Sequence, residues 1–263
     1  MFADPWLLPG GRAPVAAAVA AGTGHGAALA IFPLAAAAIA AAFGGSLARQ
    51  FAGRRRAFQG LWTAALLMFA VASLAMFLGV VGGWSSPEYR VYWLFGAILN
   101  VPYLAMGEIS LLARRRWVIL ASGAVLVAIT VLSVVQVLRA RLHPAALART
   151  LPLGKNAFVD HGPLGAYHLA NWCGNGAYAV LLAGIAWSAW QMRGRRDLRD
   201  RMVGTIVIAA GATVVAIGSG IGAGFDVVPL FSVGLAAGVA VMFAGFLRVG
   251  RTPSTAPPSS SGP

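Results

Sequence analysis

Charged residues are scarce in this chain. Of its 263 residues only 10% are Asp, Glu, Lys or Arg, whereas 59% are hydrophobic. A typical soluble domain carries about 25% charged residues, so this shortage excludes an ordinary water-soluble enzyme. It also excludes intrinsic disorder, because a chain so rich in apolar side chains has ample surface to bury.

Acidic residues are especially few: 7 Asp and Glu stand against 20 Lys and Arg, which gives a net charge of +13. In a soluble protein this excess would indicate nucleic acid or another acidic partner. Here the arginines cluster at the ends of long apolar segments, at 54–56, 114–116 and 193–201, which is typical of membrane topology signals. No basic stripe is interleaved with exposed aromatic residues, so we expect the lipid bilayer and not nucleic acid as a partner.

Cysteine and lysine are each present once. Cys173 lies inside an apolar segment, which excludes an intramolecular disulfide and a thiolate metal cluster. Lys155 is the only lysine, while Ala and Gly are abundant. This usage indicates a GC-rich bacterial gene, and we therefore expect a bacterial plasma (inner) membrane protein.

Seven apolar runs are long enough to cross the hydrocarbon layer, which requires about 20 residues in a helix. The sequence therefore predicts an all-α integral membrane protein built as a seven-transmembrane-helix bundle. The predicted spans are 26–48, 61–82, 91–113, 117–138, 166–192, 202–224 and 227–247.

Basic residues also predict the orientation. An outside amino terminus and a cytoplasmic carboxyl terminus place most of the 20 basic residues in the cytoplasm, as the positive-inside bias requires. Arg139, Arg141 and Arg149 are exceptions, because this orientation places them outside. They lie in the longest loop, where the positive-inside bias is weaker. The predicted organisation is an extracytoplasmic segment (1–25), a membrane domain (26–247) with a long outer loop (139–165), and a disordered cytoplasmic tail (248–263).

The outer loop is too short to hold a domain core. It predicts one short interfacial helix within 144–149, followed by turns rich in Gly and Pro. Aromatic residues at the span ends predict interfacial belts. The outer belt is Trp84, Tyr89, Tyr92 and Trp93, and the inner belt is Trp62, Trp117, Trp187 and Trp190.

Polar residues inside spans are the most informative positions, since they normally face other helices or a wet cavity. In the fifth span, His168, Asn171, Asn175 and Tyr178 follow i, i+3, i+7 and i+10 spacing, which places them on one face of its outer half. This set of donors and acceptors suits a small solute. The alternative is that these side chains form hydrogen bonds between helices.

The third span carries Asn100, Pro102, Tyr103 and Glu108. We expect Asn100 and Tyr103 to face the polar stripe of the fifth span. Pro102 removes a backbone hydrogen bond and should kink the helix. Glu108 is the only acid well inside a span, which indicates a proton or ion relay, or else a partner for the arginines at 114–116.

The histidines His25, His143, His161 and His168 all fall on the outer side of this topology. His25, His161 and His168 are candidate metal or haem ligands, with Asp160 as a supporting carboxylate. No pair has the spacing of a helical metal motif, so no cofactor is strongly implied. Asp226, near the outer mouth, is placed to join His25 and His168.

Glycines spaced four apart occur in the last two spans, as Gly218 with Gly222, Gly220 with Gly224, and Gly234 with Gly238. This spacing favours close helix packing. Alternatively, the glycines interrupt the helices, whose freed backbone groups would then line a site.

Residues 89–112, YRVYWLFGAILNVPYLAMGEISLL, resemble a segment of uncharacterised multi-span membrane proteins from high-GC bacteria. This resemblance implies no function. The seven-span topology is also similar to that of microbial rhodopsins, but the seventh span has no lysine for a retinal Schiff base. Ceramidase-type membrane hydrolases, which hold zinc with clustered histidines and acids, are not matched either.

Three functions follow as expectations. The first is binding or transport of a small solute or ion, as a transporter or receptor without catalytic residues, through an outer pocket of His168, Asn171, Asn175, Tyr178, Asn100, Tyr103 and Asp226. The second is a non-catalytic subunit or assembly partner of a larger membrane complex, or a homo-oligomer, with small residues such as Gly234 and Gly238 unpaired on its surface. The third is a haem or metal redox protein.

Overall fold

The chain folds into helices throughout the part that the structure describes. This computed structural model describes residues 24–192, 199–224 and 228–250, and within them one isolated antiparallel bridge, Leu142 with Phe158, is the only extended pairing. The helices are α1 (Gly24–Arg54), α2 (Ala57–Gly82), α3 (Ser86–Tyr92), a π-helical segment (Trp93–Leu99), α4 (Asn100–Leu112), α5 (Arg116–Arg139), α6 (Pro144–Leu147), α7 (Gly154–Ala157), α8 (Ala166–Met192), α9 (Arg199–Gly224) and α10 (Val228–Gly250).

Six helices in the described ranges are long and apolar enough to cross a membrane. They are Ala30–Arg54, Ala57–Gly82, Ser86–Leu112, Arg116–Arg139, Met202–Ser219 and Phe231–Arg248. The fifth predicted span is also helical, as the 27-residue α8, and at 1.5 Å per residue it is about 40 Å long. It is not among the six because its polar residues lower its hydropathy. The described ranges thus contain six candidate membrane spans by length and composition.

Six long helices pack side by side into a closed ring. Each contacts the next in the order α1, α2, the continuous helix Ser86–Leu112, α8, α9 and α10, and α10 returns to α1. The remaining long helix, α5, lies outside the ring against Ser86–Leu112 and α8. Accordingly, only 11% of the α5 span is buried.

The two ends of the ring differ. We call the end that carries residues 140–165 the cap end, and the end that carries Arg54–Arg56 and Arg114–Arg116 the arginine end. Toward the arginine end, an apolar cluster joins all six ring helices. Its members, called here the ring cluster, are Phe43, Leu47, Leu66, Leu181, Ile185, Ala212 and Met242, with Trp62, Leu104, Ile208 and Phe246 packed against them.

Glycines bring α9 and α10 into close contact. A Cβ added to Gly234 would lie 2.9 Å from the Cα of Gly218, and one added to Gly238 would lie 2.7 Å from the carbonyl oxygen of Gly211. The prediction of close packing is confirmed for Gly218, Gly234 and Gly238. The expectation that Gly234 and Gly238 form an unpaired surface patch is wrong, because both pack against α9.

Residues 140–165 form an ordered cap. His143 donates its backbone N–H to Ala157 O at 2.9 Å, and Val159 donates to Arg141 O at 3.0 Å. Leu151, Leu153 and Phe158 are buried beneath this pairing. The predicted short helix is present as α6, but α7 and the buried apolar residues make the loop more structured than its Gly and Pro content predicts.

The aromatic residues at the cap end are a packed cluster and not an interfacial belt. Tyr89 and Trp84 are buried, and Tyr89 donates its hydroxyl to Pro152 O at 3.3 Å. The indoles of Trp84 and Trp93 donate to Thr150 O and Ala166 O, both at 3.0 Å. The belt interpretation was wrong here because the folded loop covers these rings. At the other end Trp117, Trp187 and Trp190 are exposed, as a belt requires. Trp62 departs from the predicted inner belt, since it is half-buried against the ring cluster.

Candidate functional site in the helix ring

The polar stripe of α8 does not form a closed pocket. Asn171 and Asn175 are exposed and form no hydrogen bond with other described residues. His168 is half-buried and packs edge-on against Tyr167, with ring centroids 5.2 Å apart. Tyr178 donates its hydroxyl to Thr213 Oγ1 of α9 at 3.0 Å. At this position the structure therefore agrees with the alternative expectation, a hydrogen bond between helices.

Asn100 and Tyr103 do not meet this stripe through hydrogen bonds. The hydroxyl of Tyr103 lies 3.4 Å from Thr130 Oγ1 of α5, on the outside of the ring. Asn100 is only 6% exposed, and its Oδ1 has no hydrogen-bond partner among the described residues. The structure therefore separates residues that the sequence analysis grouped.

Glu108 is buried inside the bundle, with 4% of its surface exposed. It packs on Gly184 of α8: a Cβ there would lie 2.5 Å from Glu108 Cγ and 3.2 Å from Oε1. Within the described part of the chain its carboxyl group forms no ion pair or hydrogen bond, and the arginines at 114–116 are exposed at the helix end. Among the residues that the structure describes, this carboxyl group thus has no arginine partner.

Four further buried polar side chains were not identified from the sequence: Gln59, Ser73, Ser133 and Ser232. Ser73 of α2 is 2% exposed and Ser232 of α10 is 1% exposed, and neither hydroxyl has a partner among the described residues. Hydroxyls elsewhere bond to their own helix: Thr63 donates to Gln59 O at 2.7 Å and Ser122 to Val118 O at 2.8 Å. The sequence does not distinguish a serine whose hydroxyl bonds to its own helix from a buried serine without a partner, because both occur singly in apolar runs.

Ser73 and Ser232 lie on helix stripes that face the ring interior. Ser73 follows the ring-cluster residue Leu66 by seven positions, close to two whole turns, so the two share one face of α2. Ser232 begins a buried stripe of α10 that continues through Leu235 and Val239 to the ring-cluster residue Met242. Both serines therefore lie inside the ring and nearer the cap end than the cluster does.

Along the helix Ser86–Leu112, the ring cluster separates two polar groups. Leu104 packs against the cluster, Asn100 precedes it by four residues and Glu108 follows it by four. Each step of four residues is about 6 Å along the axis. On its cap side the ring thus holds unpartnered polar groups set among buried apolar residues such as Met76, Leu99 and Leu235. The ring cluster follows, and a buried carboxyl group lies on the arginine side.

A protein places buried polar groups without partners rarely, because each costs free energy in an apolar environment. In a membrane helix such groups normally face other helices or a water-filled cavity. The arrangement can therefore coordinate a small polar molecule or ion from the cap side, and it can carry a proton at Glu108.

The candidate metal ligands do not converge in the described part of the chain. His161 and His168 each pack edge-on against Tyr167, with ring centroids 5.8 and 5.2 Å from that of the tyrosine. Asp160 Oδ1 accepts a hydrogen bond from the backbone N–H of Gly162 at 2.9 Å. Within the described ranges, no group of three or more His, Cys, Asp or Glu side chains could hold a metal ion.

Some predicted site residues lie outside the described residues. These are Asp226 and the side chain of His25, together with most of the predicted segments 1–25 and 248–263.

Comparison with known proteins adds no relative. No protein-family model matches the chain, and no curated protein or solved structure matches it.

Proposed function

We propose that this protein binds and moves a small polar solute or ion across a bacterial inner membrane, through the interior of the helix ring. The observation that carries the proposal is the series of buried polar groups on ring-facing stripes: Ser232, Ser73 and Asn100 on the cap side and Glu108 beyond the ring cluster.

The series suits transport because its two halves are kept apart. The ring cluster draws one or more apolar side chains from every ring helix, so it blocks an open channel. Movement past it requires the helices to shift, as in alternating access. Because Glu108 lies beyond this cluster and has no partner in the described residues, its carboxyl group is available to bind and release a proton as the helices move.

The proposal includes α8 as a seventh span, with the amino terminus and the cap end outside. The 27-residue length of α8 is sufficient, and its packing between Ser86–Leu112 and α9 supports a membrane position. Leu181 and Ile185 of α8 also belong to the ring cluster, so α8 packs at the same level as the neighbouring candidate spans.

Glu108→Gln tests the relay. The purified chain is reconstituted into vesicles that contain a pH-sensitive dye, and a panel of Na⁺, K⁺, amino acids and sugars is added from outside. We expect the unaltered chain to show pH-dependent flux with at least one probe. Because an amide cannot release a proton, Glu108→Gln should abolish that dependence without loss of folding.

Glu88→Gln is the matched control. Glu88 accepts a hydrogen bond from Ser85 N at 3.1 Å in a capping box at the start of α3, and glutamine serves the same role there. This variant should transport as the unaltered chain does. The relay is contradicted if flux in Glu108→Gln keeps its pH dependence.

A second candidate function, subunit of a larger membrane complex, rests on a different observation. Asn171 and Asn175 are exposed on a long apolar helix, and an amide that faces lipid costs free energy unless another helix covers it. If a partner covers them, Asn171→Leu with Asn175→Leu should release a protein that copurifies from native membranes. Purification of the unaltered chain alone, in a mild detergent, would contradict this alternative.

A further inference from the structure

A cleft of about 420 Å³ lies at the cap end, between the end of α5 and the start of α8. Its lining includes Gln136, Arg139, Arg141, Asp160 and Ala166. The volume falls in the range of about 300–1,000 Å³ that is typical of small-molecule sites. The cleft is separate from the ring interior, since α5 lies outside the ring.

The cleft carries both positive and negative side chains, which suits a ligand with an anionic and a cationic group. Arg139 and Arg141 are exposed, and among the described residues neither forms an ion pair. Asp160 lines the same cleft, and its recorded partner is the backbone N–H of Gly162 at 2.9 Å. Guanidinium groups match the fork geometry of phosphate oxygens, whereas a carboxylate accepts hydrogen bonds from an ammonium group.

The surroundings of the cleft indicate a lipid. Arg139 is the last residue of the α5 span, of which only 11% is buried. Val131, Val135 and Leu138 are exposed, and their i, i+4 and i+7 spacing makes an apolar stripe that leads to Arg139. An acyl chain can therefore lie along α5 while its headgroup occupies the cleft.

We propose that this cleft binds the headgroup of a phospholipid that carries a primary amine beside its phosphate. Arg139 and Arg141 hold the phosphate oxygens, and Asp160 accepts hydrogen bonds from the ammonium group. The site is independent of the transport proposal and of the orientation of the chain, because it requires only that the cap end lies at a membrane surface.

Native mass spectrometry of the full chain tests the site. The chain is delipidated in detergent and titrated separately with phosphatidylethanolamine, phosphatidylcholine and phosphatidylglycerol, and with inorganic phosphate. We expect phosphatidylethanolamine to bind most tightly, because its amine is free to donate to Asp160. Arg139→Gln with Arg141→Gln should weaken this binding about tenfold or more, through loss of charge-assisted hydrogen bonds.

Two variants make the test specific. Arg115→Gln with Arg116→Gln removes two exposed arginines from the opposite end of the same helix and should leave lipid binding unchanged. Asp160→Asn should abolish the preference for phosphatidylethanolamine over phosphatidylglycerol. The proposal is overturned if both arginine pairs weaken binding equally, if Asp160→Asn keeps the preference, or if inorganic phosphate competes as well as the lipid does.

Discussion

At the residue scale, several glycines make room for a large side chain from another element. Gly107 leaves space for the indole of Trp62, which donates to Leu104 O at 3.0 Å. Gly154 leaves space for Trp93 in the cap, and Gly184 for Glu108. Each of these glycines is complementary to one bulky or charged partner on another element, so its role is steric and not conformational.

Gly107→Ala should destabilise the protein. The added methyl group would overlap the Trp62 ring, and overpacking of this kind costs about 1–3 kcal/mol. Gly45→Ala is the control, because a Cβ there meets nothing within 4 Å and alanine favours the helix by up to about 1 kcal/mol. Thermal unfolding in detergent should show a lower midpoint for Gly107→Ala only. Equal midpoints for the two variants would contradict the steric role of Gly107.

The polar residues of the candidate site could be identified from the sequence, but the side chains that surround them could not. Glu108 and Asn100 stood out because charged and amide groups are rare in spans. Their surroundings depend on Gly184 and on the rotation of each helix, and neither can be read from one sequence. Tyr103 shows the limit, since its predicted direction was α8 and its hydroxyl meets Thr130 of α5.

At the element scale, the helix Ser86–Leu112 is interrupted by the π-helical segment Trp93–Leu99. Pro102 cannot donate to the carbonyl four residues earlier, at Ile98, so the regular ladder is already broken there. The sequence predicted an irregularity at Pro102, and the structure places the altered winding just before it. Such π segments are frequent at functional sites, and this one leads directly into Asn100.

The end of α5 is fixed by a side chain from another helix. Arg90 of α3 donates to Val137 O, to Leu138 O at 2.6 Å and to Ala140 O at 2.8 Å. These carbonyls belong to the last turn of α5 and would otherwise lack helical partners. The sequence does not predict this role of Arg90, because a contact 47 residues away leaves no local pattern.

Arg90→Lys should loosen the last turn of α5. A single ammonium group cannot reach several carbonyls as the guanidinium fork does, and loss of one charged hydrogen bond costs about 1.5–3 kcal/mol. Hydrogen exchange at the amides of residues 136–141 should become faster, while Arg115→Lys at the other end of α5 should leave these amides unchanged. Equal protection in the two variants would show that Arg90 does not cap this helix.

At the scale of the whole molecule, the helices were predictable and their arrangement was not. All seven predicted spans are helical within the described ranges, because long apolar runs between charges leave few alternatives. The ring order, the exclusion of α5 and the cap depend on contacts between distant segments, such as Trp84 with Thr150. Without related sequences, no covariation between positions could reveal these contacts.

Transport through the ring requires that water reaches its interior on the cap side of the ring cluster. The most direct test of this requirement replaces Cys173 with alanine and introduces a single cysteine at Ser73, Ser232 or Ser133, in vesicles treated with a small charged thiosulfonate. Ser133 is the control, because it is equally buried and unpartnered among the described residues but lies on α5, outside the ring. We expect rapid labelling at positions 73 and 232 from the cap side and slow labelling at 133. Equally slow labelling at all three would contradict the proposed transport through the ring.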